Sequence, residues 1–205
     1  MCDSQNKYIT SQKINRDFLF IRHGQTSWGP GDITKGPQNL GLNEIGRCQA
    51  NEAYNLIIEN YNSIPTPIIF SSHLERALET ANILASHFEN KPLIIKVTGL
   101  EERYYGDYRN ADTDNLSAYV PPDAESLDHF KGRVTEALRK ILEQTYQDTR
   151  TLVLVSHQKV FEYLAELLTG EKLRLDQGGV CCFEFRDDKY FANVYESSST
   201  ATSQP

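Results

Sequence analysis

Short continuous apolar runs alternate along the chain with longer segments whose apolar positions recur every three or four residues. Phe18–Ile21 is the first run, of the kind found in a strand buried on both faces. Asn43 then precedes Glu44–Asn60, where Ile45, Cys48, Ala53, Leu56 and Ile57 fall at helical spacing. Pro65 and Pro67 break that segment, and Ile68-Ile69-Phe70 predicts a second buried strand. Ser71-Ser72 offers an N-cap for a helix to about His87, with Leu74, Leu78, Ala81 and Leu84 on one side. Leu93–Val97 predicts a third strand. Residues 98–122 are polar and Tyr-rich, a loop of a length that is usually functional or disordered. A helix is expected from Asp123 to Tyr146, a strand over Thr151–Val155 and a helix over His157–Leu168, stopped by Gly170. Val180–Arg186 and Lys189–Val194 predict a closing hairpin across Asp187-Asp188.

Buried strands alternating with helices predict an α/β fold, a three-layer α/β/α sandwich with a mostly parallel central sheet and an antiparallel edge. Residues 17–195 form the expected single domain. Residues 1–16 and 196–205 are polar and aperiodic, and are expected to be flexible.

A chain of 205 residues can bury a substantial core. Its net charge of −7 disfavours a partner held by a broad basic face, so nucleic acid is not expected. No apolar run approaches the roughly 18 residues of a membrane span, and the opening segment has no apolar core. Four cysteines without ligand spacing suggest neither a zinc site nor a disulfide scaffold, since Cys181 and Cys182 point to opposite faces of a strand. A reducing, cytoplasmic setting is the expectation.

Ligands of open α/β sheets collect at the carboxyl ends of the strands. After the first strand come Arg22-His23-Gly24, and after the second Ser71, Ser72 and Arg76. Glu101, Glu102 and Arg103 follow the third, and Ser156-His157 the fourth. Such a rim suits phosphoryl transfer to a histidine. A neutral imidazole attacks phosphorus once guanidinium forks neutralise the phosphoryl oxygens, and a carboxylic acid protonates the leaving oxygen. That chemistry requires neither a cofactor nor a metal.

The sequence Phe18-Leu-Phe-Ile-Arg-His-Gly-Gln-Thr26 resembles the RHG signature of the histidine phosphatase superfamily, in its phosphoglycerate-mutase-like branch. Leu42-Asn-Glu-Ile-Gly-Arg-Cys-Gln-Ala50 is similar to the L-T-x-x-G-x-x-Q-A segment that follows it. Ser71-Ser-His-Leu-Glu-Arg-Ala-Leu-Glu-Thr-Ala81 resembles S-S-x-L-x-R-A-x-x-T-A. Leu100-Glu-Glu-Arg-Tyr-Tyr-Gly106, Ala124-Glu-Ser126 and Val153-Leu-Val-Ser-His157 match later segments in the same order. An RHG tripeptide alone is weak; the five longer segments in order, with the short Ala124-Glu-Ser126 beside them, are a strong signal.

The resemblance implies a phosphohistidine at His23, with Arg22, Arg76 and His157 holding the phosphoryl group. It implies Glu102 as proton donor, with the adjacent Glu101 as the alternative. Gln25, Thr26 and Gln158 are candidate substrate contacts. The implied activity is a metal-independent, histidine acid phosphatase-like phosphomonoesterase acting on a small phosphorylated substrate. Departures are Trp28-Gly29 in place of Trp-Asn, Gln158-Lys159 after the second histidine, and Gly106-Asp-Tyr-Arg-Asn110 in place of the mutase continuation. They weigh against phosphoglycerate mutase activity. That mutase activity and a phospho-ligand-binding module without turnover are the alternatives. Tyr104, Tyr105 and Tyr108 are either a substrate-facing wall or a cover for the core. His73, His87 and His129 fit no catalytic position.

Overall fold

The structure, a computed structural model, describes residues 15–27, 39–61, 64–106 and 121–197. Its elements in chain order are β1 (Phe18–Arg22), α1 (Glu44–Tyr61), β2 (Ile68–Ser72), α2 (Glu75–Ser86) and β3 (Ile94–Val97). There follow α3 (Leu127–Thr145), β4 (Leu152–Ser156), α4 (Gln158–Thr169), β5 (Val180–Arg186) and β6 (Lys189–Tyr195). They build one six-stranded sheet in the order β3-β2-β4-β1-β5-β6. The first four strands in that order are mutually parallel, whereas β5 runs antiparallel to β1 and β6 antiparallel to β5. This is the predicted fold class.

Pleating divides the strand residues between two cores. Phe18, Phe20, Phe70, Leu152, Leu154, Cys181 and Phe183 face one side, where α3 and α4 cover them with Phe130, Leu138, Phe161 and Leu164. Leu19, Ile21, Ile69, Val153, Val155 and Cys182 face the other, under Ala53 and Ile57 of α1 and Ala81 and Leu84 of α2. The central strands therefore read as unbroken apolar runs. Cys181 and Cys182 lie in opposite cores, and both are free thiols. Burial pushes Cys181 up to about 12 and Cys182 up to about 11, so both stay protonated at neutral pH.

Local chemistry sets the boundaries. Asn43 opens α1 by accepting the N–H of Gly46 on its side-chain oxygen at 2.8 Å. Gly170, at φ 78°, closes α4 with its N–H on the carbonyl of Glu166. Asp187 and Asp188 both take positive φ (51° and 58°), as a two-residue hairpin turn with matching twist requires.

Two predicted starts are corrected. Ser71 and Ser72 do not cap α2; they end β2, and α2 begins at Glu75 after Leu74, which makes no side-chain cap bond. The physical reason is that the Ser72 hydroxyl turns to His157. Helix α3 begins at Leu127, not Asp123, because Ser126 caps it through the N–H of His129 while Glu125 stays outside to bind Arg133. The predicted turn at 29–32, Trp28 and Tyr108 lie outside the described residues, as do most of the two terminal segments.

Candidate active site

Sheet register brings the two histidines together. Arg22 of β1 stands opposite Ser156 of β4, so the next residues, His23 and His157, leave adjacent parallel strands side by side. Their rings lie 5.0 Å apart in an edge-on arrangement, and both are buried. His23 is anchored by its N–H on the carbonyl of Ser156 at 3.0 Å.

The His23 ring has a defined tautomer. Its Nδ1 lies 2.7 Å from the carbonyl oxygen of Gly24, which can only accept, so Nδ1 carries the proton. Nε2 is then a lone pair, and Arg76, on the first turn of α2, donates its Nε–H to it at 3.2 Å. Burial, aided by the Arg76 and Arg22 cations, pushes His23 down to about 3, so the ring is neutral at any ordinary pH. Gly24 permits this packing: a Cβ there would lie 2.2 Å from the carbonyl oxygen of Gly46 in α1.

His157 is fully buried and held well below the ordinary histidine range by burial first and by the Arg76 cation next. Its Nε2 pairs with the Ser72 hydroxyl at 2.9 Å, while its Nδ1 is buried with no partner among the described residues. Arg22 gives one guanidinium nitrogen to the carbonyl of Leu175 at 2.8 Å, and its Nε is buried and unpaired among the described residues. Burial pulls both guanidinium groups down, with the Glu102 carboxylate opposing, but an arginine keeps its charge.

Glu102 and Glu101 separate clearly in space. Glu101 binds the Gly99 N–H and Arg133 through Oε2 and His73 through Oε1. Glu102 instead sits at the N-terminus of α4, accepting the N–H of Lys159 at 3.2 and 3.3 Å and that of Arg103 at 2.9 Å. Burial raises its pKa against those two N–H donors and the cations Arg76 and Arg22. The preceding loop is pinned by the Ser156 hydroxyl on the carbonyl of Leu100 at 2.6 Å, and by Arg133 on the carbonyls of Gly99, Glu101 and Glu102.

The remaining candidates are placed as follows. Gln25 accepts the Asn43 amide on its side-chain oxygen, and Thr26 bridges to Leu42. Gln158, the first residue of α4, donates to Glu162 at 3.0 Å, and its own amide oxygen is buried without a donor among the described residues. Tyr105 lies under the Arg103 guanidinium at 5.2 Å, and Tyr104 bonds Asp123. His73, His87 and His129 pair with Glu101, Asn51 and Glu125 on partly or largely exposed surfaces. Among the described residues no group of three His, Cys, Asp or Glu is arranged to hold a metal ion. Among them, too, no helix is long and apolar enough to cross a membrane.

Three side chains given no catalytic or binding role from sequence contact His157, Arg76 or the backbone after His23: Ser72, Gln49 and Thr80. Gln49 and Thr80 each occupy a fixed letter of a matched segment, which was the available signal.

Residues 18–197 match the histidine phosphatase superfamily (branch 1). The uncharacterized phosphatase PhoE of Bacillus subtilis is 26% identical over 187 residues, covering 87% of this chain and 93% of that protein. Phosphoglycerate mutase-like protein 4 of Arabidopsis thaliana is 30% identical, over 73% of this chain and 70% of that protein. In three dimensions the alpha-ribazole phosphatase from Shigella flexneri superposes with a TM-score of 0.71 at 24% identity. It covers 88% of this chain and 96% of its own, a likeness of fold.

Proposed function

The chain belongs to the histidine phosphatase superfamily (branch 1), and from that membership and its site we propose that it hydrolyses phosphate monoesters through a phosphohistidine at His23. One observation carries the reading. Beside the His23 ring, whose centroid lies 5.0 Å from that of His157, two buried nitrogens, Arg22 Nε and His157 Nδ1, have no hydrogen-bond partner among the described residues, and a third, Arg76 Nε, rests on His23 Nε2 itself. A phosphoryl group is the ligand that takes all three donors and offers the lone pair an electrophile. This reading takes the Ser72 hydroxyl as donor to His157 Nε2, the tautomer in which Nδ1 keeps its proton and meets the anion as a donor.

In the first step the Nε2 lone pair bonds to phosphorus and the bond from phosphorus to the ester oxygen breaks. Glu102, whose pKa burial raises, gives its proton to the departing oxygen. In the second step Glu102 takes a proton from water, the resulting oxygen bonds to phosphorus, and the bond to His23 breaks, releasing inorganic phosphate. Arg22 and Arg76 neutralise the oxygens throughout. The scheme supports metal-independent turnover of a small phosphorylated molecule, with no nucleic-acid partner. Gln158, Gln25 and Thr26 are the proposed contacts to substrate.

Relatives named as phosphatases support hydrolysis, including the metal-independent phosphoserine phosphatase of Arabidopsis thaliana, 26% identical over 98% of this chain and 92% of that protein. The mutase-like relative keeps phosphoryl transfer between substrates as a second reading. A binding module without turnover has no use for an acid beside the anion site, which favours catalysis. The free thiols suit a cytoplasmic setting. The test is hydrolysis of an aryl phosphate in the presence of a chelator, expected in the wild type and lost in His23→Ala. A wild-type protein inactive across a panel of phosphate esters overturns the reading.

A further inference from the structure

Two peptides follow His23, and each is gripped by a side chain that the mechanism above does not use. Thr80, fully buried in α2, accepts the N–H of Gly24 on Oγ1 at 3.2 Å and donates to the carbonyl of Arg76 at 2.8 Å. Gln49, in α1, accepts the N–H of Gln25 on its amide oxygen at 2.8 Å. The Gln25 N–H and the Gly24 carbonyl belong to one planar peptide and point in opposite directions. Holding the N–H therefore aims the carbonyl, which is the oxygen that accepts the Nδ1 proton of His23 at 2.7 Å.

We propose that Gln49 and Thr80 are positioning residues that set the tautomer of the nucleophile, an inference that rests on His23 being that nucleophile. Glycine at position 24 has no Cβ to resist rotation of the following peptide, so the orientation has to be imposed from outside. If the Gly24 carbonyl turns away, the Nδ1 proton loses its acceptor and the ring is free to carry its proton on Nε2. In that tautomer no lone pair faces phosphorus, and the Nε2 proton meets the Arg76 donor.

Gln49 is well placed to impose the geometry because it is itself confined. The loop entering β5 passes so close that a Cβ on Gly178 would lie 2.7 Å from the Cβ of Gln49 and 2.8 Å from its carbonyl oxygen. The same loop is fixed to the site by the Gly178 N–H on the carbonyl of Arg22 at 3.1 Å. Thr80 adds a second link, tying the nucleophile's backbone to the helix turn that carries Arg76.

The experiment compares Gln49→Leu, which removes the acceptor, with Gln49→Glu, which retains a side-chain oxygen in the same place. Nitrogen NMR of isotopically labelled histidine at neutral pH reads the tautomer, and steady-state kinetics on an aryl phosphate read its consequence. Wild type and Gln49→Glu are expected to show the proton on Nδ1 of His23. Gln49→Leu is expected to show a share of Nε2–H and a kcat lower by about tenfold to a hundredfold, with KM little changed. Thr80→Val, with Thr80→Ser as its rescue, provides the same comparison should Gln49→Leu fail to fold. Unchanged His23 nitrogen signals in folded Gln49→Leu or Thr80→Val overturn the proposal, even if activity falls. The NMR arm needs no turnover, so an inactive wild type counts against the phosphohistidine reading alone.

Discussion

Arg76 donates its Nε–H to Nε2 of His23 across 3.2 Å, so one guanidinium covers the lone pair that reaches phosphorus in the proposed mechanism. Both groups are thus within reach of a single anion, whose oxygen takes the arginine donor as its phosphorus takes the lone pair. Replacing Arg76 by Met removes a fixed cation and donor. A fall in kcat/KM of roughly a hundredfold to a thousandfold is expected, as for loss of one preorganised oxyanion donor. Arg76→Lys is expected to recover little, because an ammonium lacks the planar fork. Steady-state kinetics of both variants provide the check.

The pH profile follows from two opposite shifts. In the proposed mechanism His23 has to be neutral to attack, and burial with the Arg76 cation pushes it down to about 3, so the acid limb of kcat/KM falls only near there. Glu102 has to be protonated to act as acid, and burial raises its pKa, so the rate falls as pH rises through that value. The expected profile is a bell with its acid limb near 3 and its basic limb above the ordinary carboxylate value of 4.5. Removing the Arg76 cation moves the acid limb to higher pH.

Glu102→Gln is expected to lower kcat/KM, which reports the step that expels the leaving group and not the shared hydrolysis of the phosphohistidine, on alkyl phosphates by roughly a hundredfold to ten-thousandfold. The loss on p-nitrophenyl phosphate should be much smaller, because that phenolate departs without a proton. Comparing the two esters isolates the acid's role from any effect on folding. Equal losses on both contradict it.

Arg133 joins α3 to the loop bearing Glu102, bonding both carboxylate oxygens of Glu125 and three main-chain carbonyls. Burial opposes ionisation of Glu125, but Arg133 and His129 hold it down to about 2. A carboxyl lowered in the folded state stabilises above its ordinary value of 4.5, and that contribution is lost as pH falls toward about 2. Arg133→Met should cost about 3 kcal/mol at neutral pH, a drop in Tm of roughly 6–12 °C. The gap from wild type narrows in acid, which thermal melts across pH will show.

Gly46 faces the strand-to-loop turn after His23, and a Cβ on it would lie 2.0 Å from the main-chain oxygen of Gln25. Gly46→Ala therefore has to move backbone, and is expected to cost about 1–3 kcal/mol or more together with much of the activity. Gly132→Ala, in α3 where a Cβ meets nothing within 4 Å, is the control. It should gain about 0.5–1 kcal/mol and leave kcat unchanged.

The strands and the histidines were legible because each reading was local. Phe18–Ile21 is a continuous apolar run, and Arg22-His23-Gly24 follows it directly. Contacts distant in sequence were not legible. Ser71-Ser72 reads as a helix cap in isolation, but the Ser72 hydroxyl is claimed by His157, 85 positions away. Ala124-Glu-Ser126 matched as a motif, yet nothing local shows that Glu125 is held outside the helix by Arg133. Glu101 and Glu102 are neighbours of one kind in sequence; the structure gives one to Arg133 and His73 and the other to the N-terminus of α4. The roles of Gln49 and Thr80 depend on the peptides after His23, which no spacing reveals.

The phosphohistidine is tested most directly by quenching the enzyme in base during turnover of a slow substrate and mapping the phosphoryl group by mass spectrometry. The expected result is a phosphoryl adduct, labile in acid, on the peptide containing His23, formed as fast as turnover and absent from His23→Ala. Turnover with no adduct, or with the adduct on another residue, contradicts it.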